Sequence, residues 1–124
     1  ADFTADADAM RASNAPAFEG VADRLDGAIA DLESSTSYMQ SALADGRQTD
    51  ALSGATPYLR LFGLTATTAM LARGALADMD APEAAGRAAL VRFAAANLAP
   101  ETKGLAASAT AGAACLADAS AALA

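Results

Sequence analysis

Histidine and tryptophan are absent from this chain of 124 residues, and cysteine occurs once. The missing histidines exclude imidazole acid–base catalysis and histidine metal ligation. A single cysteine, Cys115, forms no internal disulfide, and a free thiol fits a reducing compartment, so a cytoplasmic chain is expected. Its neighbours Ala113, Ala114 and Leu116 point to a buried structural thiol. Two valines and one isoleucine are too few for a β-sheet core. Aromatic residues make up 5%, which argues against a base-stacking platform for nucleic acid. Residues 104–124 are mostly alanine but carry Ser108, Thr110, Asp118 and Ser120, too polar a run to span a membrane. The chain opens on Ala1 and Asp2 rather than on a basic and then apolar leader, and without an initiator Met it reads as a processed chain or a piece of a longer one.

What is abundant is alanine, 39 residues against 28 large apolar side chains. Alanine is the best helix former, so the length and composition predict one all-α domain. Acids outnumber bases 15 to 8, for a net charge of −7. Residues 1–50 hold ten acids and three arginines, whereas residues 51–124 hold five of each sign. Such a surface repels phosphate backbones and favours solubility.

Residues 1–15 read as an acidic N-terminal tail or linker, with one or two helical turns around residues 5–12. Phe18, Val21, Leu25, Ile29, Leu32, Thr36, Met39 and Leu43 then recur at spacings of three and four, which predicts a helix over 16–45 stopped by Gly46. A second helix is expected over 50–79, either kinked at Pro57 or beginning there with Thr56 as cap; a start near Asp50 with a kink is preferred. Apolar residues on two of its faces suggest the most enclosed helix. Asp80-Ala81-Pro82-Glu83 resembles a capping box for a third helix over 81–98, ended by Pro100. A fourth runs over 101–123 with Leu105, Ala109, Gly112, Leu116, Ser120 and Leu123 as its seam. The expected architecture over 16–124 is a four-helix up-down-up-down bundle with close Ala/Gly-rich helix packing.

Catalytic, cofactor-binding and metal-binding residues are not evident. The acids of the first helix face away from its apolar stripe and are mostly Asp, unlike a di-metal carboxylate site. Ser34, Ser35, Thr36 and Ser37 read as a neutral run within the helix. By pattern alone this is a helical bundle without an active site.

One segment adds to that reading. Ala55-Thr56-Pro57-Tyr58-Leu59-Arg60-Leu61-Phe62-Gly63-Leu64, continuing to Ala72-Arg73-Gly74-Ala75-Leu76, resembles the extra C-terminal domain of large bacterial acyl-CoA dehydrogenases (acetyl-CoA dehydrogenase-like C-terminal domain). Ala89-Leu90-Val91-Arg92-Phe93-Ala94, Asn97-Leu98-Ala99-Pro100 and Thr110-Ala111-Gly112-Ala113 resemble later segments of that domain, in the same order, so the resemblance covers about 16–124. Ala94 and Ala99 stand where the family commonly has an aromatic residue and Leu, and Thr67 and Thr68 stand where it has aromatics. The resemblance implies a helical domain appended to an FAD-dependent enzyme that dehydrogenates acyl-CoA thioesters. It implies FAD and a catalytic Glu upstream, with neither held here. The implied partner is the catalytic domain of the parent chain, and the implied role is to cover apolar surface and set assembly state. Tyr58, Arg60, Phe62 and Arg73 are the candidate docking face, since Tyr and Arg are enriched in interface hot spots. The competing readings are a stand-alone interaction module that forms a homodimer through an alanine seam, and a small bundle enzyme.

Overall fold

A computed structural model describes residues 3–124. It is all-helical, with no strand among the described residues. The α-helices are α1 (Phe3–Ser13), α2 (Val21–Ala44), α3 (Gln48–Ser53), α4 (Ala55–Ala77), α5 (Ala84–Phe93), α6 (Thr102–Ala109) and α7 (Ala114–Leu123). Specific pairs set their directions. Arg11 at the end of α1 meets Asp23 and Asp26 at the start of α2, so these two run antiparallel. Gly54 lies against Ala109 and Gly74 against Arg87, so α4 runs antiparallel to the stretch 84–109.

The segment expected to be a tail is α1. Ala7 and Met10 are buried in the main cluster with Val21, Leu25, Ile29, Ala72 and Val91, and Phe3 packs against that cluster. Phe3, Ala7 and Met10 follow the i, i+4, i+7 spacing of one helix face, with Asp8 turned outward and Asp6 buried. The helix expected over 16–45 is also divided. Pro16–Phe18 forms a single 3-10 turn, Gly20 takes a left-handed φ of 80°, and α2 starts only after it. Gly46, at φ 76°, ends α2 as expected.

Neither expected form of the second helix is present. A short α3 ends at Gly54, and α4 begins at Ala55, with Pro57 in its first turn where a missing N–H costs nothing. The cause is tertiary. A Cβ on Gly54 would overlap the carbonyl oxygen of Ala109 and stand 3.0 Å from Met39 Cε. The backbones of α4 and α6 meet there, and only glycine permits that approach.

The capping box at Asp80 is not used: α5 starts at Ala84, with no side-chain cap at Glu83. Pro100 does not end the rod either. Ala94–Leu98 forms a wide π turn, in which the Ala99 N–H donates to Ala94 O, and Ala99–Glu101 forms a tight 3-10 turn. The wide and tight turns absorb the hydrogen bond that proline cannot donate, and the chain continues into α6. The helix expected over 101–123 is broken instead at 110–113, where Gly112 adopts φ 80°, and α7 leaves the line of 84–109 at 72°. No residue of α7 is buried, and Cys115 is exposed rather than structural.

The core is thin and alanine-rich. Leu25, Leu61, Val21 and Val91 are its largest fully buried apolar side chains, among Ala7, Ala42, Ala69, Ala72, Ala94 and Ala109. Buried hydroxyls are mostly satisfied by the preceding turn, as where Thr65 Oγ1 donates to Leu61 O at 2.9 Å. Ser35 is the exception, fully buried with no partner for its Oγ.

Three stability changes follow in the isolated chain. Gly54→Ala should destabilise it by about 1–3 kcal/mol through overpacking against α6. Gly63→Ala, where an added Cβ meets nothing within 4 Å, should stabilise it by about 0.5–1 kcal/mol. Ser35→Ala should stabilise it by about 1 kcal/mol by removing an unsatisfied hydroxyl. Urea midpoints of the three variants test these signs.

Candidate docking surface

The four residues expected to form a docking face are placed differently from one another. Tyr58 is half-buried, and its hydroxyl shares a hydrogen bond of 2.7 Å with Thr36 Oγ1 on α2. Arg73 makes a bidentate pair with Asp6, Nε to Oδ1 at 3.0 Å and a terminal nitrogen to Oδ2 at 2.7 Å, tying α4 to α1. Those hydrogen bonds, donated to the Asp6 carboxylate, push the guanidinium further above its usual range, against a smaller opposing effect of burial. Phe62 is 46% exposed, with its ring 6.1 Å from that of Phe3. Arg60 is exposed and pairs with Glu101 at 3.3 Å. Tyr58, Phe62 and Arg73 therefore sit on the side of α4 that borders α1 and α2. Arg60, two positions on from Tyr58, projects about 160° away.

Between these two sides runs an apolar strip that pattern reading missed. Leu59 is 70% exposed and Met70 49% exposed, and Gly63 lies open between them. At about 100° per residue Leu59, Phe62, Gly63 and Met70 fall within one sector of the helix. The signal was present in the sequence, because α4 is apolar on all sides rather than on one stripe. It was taken as enclosure, whereas one side packs on α1, α2, α5 and α6 and the other faces out. α5 shows Leu90 and Phe93 in the same way.

At the far end, Asp50 organises the turn before α7. Its Oδ1 accepts the Ala113 N–H at 2.8 Å, and its Oδ2 pairs with Arg47 at 3.3 Å. Arg47 also lies over the Tyr38 ring, 5.7 Å from its centroid. The backbone donor from Ala113, more than the Arg47 charge, holds the Asp50 carboxyl below its ordinary value. This is the clearest anchor of the segment that leads into α7.

One cleft of the molecule is poorly suited to a dinucleotide. It measures about 510 Å³, lies between α1 and the start of α2 and includes Glu19 and Asp23, and its Arg11 is held by Asp8, Asp23 and Asp26. A diphosphate would meet carboxylates there without a free cation. Among the described residues no group of three metal-ligating side chains converges.

The lowered pKa of Asp50 links stability to pH. Its contribution to stability is complete above the ordinary aspartate value of 3.8 and is lost as pH falls through its lower folded value. Asp50→Asn should flatten that part of the acid-unfolding curve and speed hydrogen exchange at Ala113. Unchanged exchange would show that the clasp does not hold the turn.

The comparisons with known proteins bear on the whole of this helical unit. No curated protein and no solved structure gives a significant match. The family model described as acetyl-CoA dehydrogenase C-terminal like matches residues 1–120. The match takes in α1 as well, which the resemblance had left outside the domain. By that match over nearly its whole length, the chain belongs to the acetyl-CoA dehydrogenase C-terminal-like family.

Proposed function

We propose that this chain is the accessory C-terminal helical domain of an FAD-dependent acyl-CoA dehydrogenase, docked on the catalytic domain of its parent and setting the assembly state. The observation that carries this reading is the exposed apolar strip of α4 on a domain of this family. Exposed apolar strips of this kind mark interaction surfaces. The strip is framed by the expected residues: Phe62 is part of it, while Tyr58, Arg73 and Arg60 fix its borders through Thr36, Asp6 and Glu101. The contact pairs also favour an up-down-up-down bundle, with α1, α2, α4 and 84–109 as its four rods rather than the segments first expected.

The parent reaction in this reading is α,β-dehydrogenation of an acyl-CoA thioester in the cytoplasm. FAD in the parent supplies the electron acceptor. The role of these residues is to bury apolar surface against the catalytic domain. Leu59→Lys with Met70→Lys in the parent holoenzyme should change its subunit number by light scattering, while the isolated chain carrying both keeps its melting temperature. An unchanged assembly, or a purified chain of these residues that is yellow and active alone, would overturn the proposal.

The exposed α7 favours a second reading, a homodimer of the stand-alone chain. A monomer mass for the isolated chain by light scattering removes it.

A further inference from the structure

Where α1, α2 and α4 meet, a groove of about 500 Å³ opens beside the strip of α4. Its apolar wall is Phe3, Ile29, Leu32 and Phe62, and Glu33 and Ser37 stand at its rim. Leu59, one turn before Phe62, extends the apolar wall along α4. Among the described residues lining the groove Glu33 alone is charged, and no hydrogen bond or ion pair joins it to another described residue.

The charge pattern of the chain says what can fill this groove. Arg11, Arg47, Arg60, Arg73 and Arg87 are each paired with a carboxylate of the chain itself. The net charge is −7, and its excess lies in the first 50 residues, which supply α1 and α2. An acidic segment brought to this groove would meet Glu33 with no cation among the described lining residues to receive it. A cationic segment gains on both counts, first in steering and then at the rim.

We propose that the groove receives a segment of the partner domain that presents a large apolar side chain, with a Lys or Arg one helical turn away to meet Glu33. The apolar side chain inserts among Phe3, Leu32 and Phe62, and the cation lies at the rim. This rests on the docking reading above and assigns its partner chemistry.

The test uses the isolated chain and two synthetic helical peptides. Both present Leu and Phe four residues apart; one carries Lys at the flanking positions, the other Glu. The Lys peptide should shift NMR signals of Ile29, Leu32, Glu33, Ser37 and Phe62, and bind up to about fivefold tighter at low salt, the upper worth of one exposed ion pair. Glu33→Gln should abolish that preference, and Glu83→Gln, an exposed acid elsewhere, should leave it intact. Ser37→Trp should fill the rim and weaken both peptides without unfolding the chain, because Ser37 is exposed. Shifts confined to other surfaces, equal binding of the two peptides, or a preference that survives Glu33→Gln would overturn the assignment. A parent enzyme whose assembly ignores the α4 strip would overturn the docking reading alone, since peptide capture by the groove is read separately.

Discussion

Small side chains set the distance between helices, and most of the structure follows from that spacing. One close approach is backbone to backbone, Gly54 against the Ala109 carbonyl. Ala69, Ala72 and Ala94 are fully buried, with a few larger residues such as Leu25 and Val91 among them. Close spacing leaves little room for bulky groups inside, so Leu59, Met70, Leu90 and Phe93 remain outside. The apolar surface available to a partner is thus the counterpart of an interior built from methyl groups.

Alanine surfaces are also smooth. Ridges of large side chains normally fix how one helix sits along another, and methyl groups do this poorly. Polar ties supply register instead. Asp6 with Arg73 fixes α1 on α4, Thr36 with Tyr58 fixes α2 on α4, and the Thr102 hydroxyl donates to Asp31 across α6 and α2 at 2.7 Å. Each joins residues at least 22 positions apart in the chain. Side chains that look like exposed binding groups in a linear reading are therefore partly internal fasteners.

The helical class was legible from composition, and the stripe of α2 from Val21 through Leu32 was legible from spacing. Boundaries failed where their causes lay elsewhere in the chain. The break at Gly54 depends on Ala109, and the sequence around Gly54 does not reveal it. Helical turns around 5–12 were expected, but the packing of α1 was hidden because Ala7 holds the middle of its buried face, and alanine carries little hydrophobic signal. Pro100 looked like a terminus because a regular helix cannot hold it, but a π turn followed by a 3-10 turn can. The same limit applied to the docking surface. Phe62 was found from its segment, but Leu59 and Met70 could be told from core only once the neighbours of α4 were known. For Arg73, the partner 67 positions earlier was invisible.

A core built largely of methyl groups also shapes how stability responds to temperature. Heat capacity of unfolding follows the apolar area newly exposed to water. With Leu59, Phe62, Met70, Leu90 and Phe93 already partly wet in the folded state, and α7 wholly so, that increment is small for a chain of this length. The stability curve is correspondingly flat. Covering these side chains with a partner would restore the missing apolar burial and with it a more ordinary curvature.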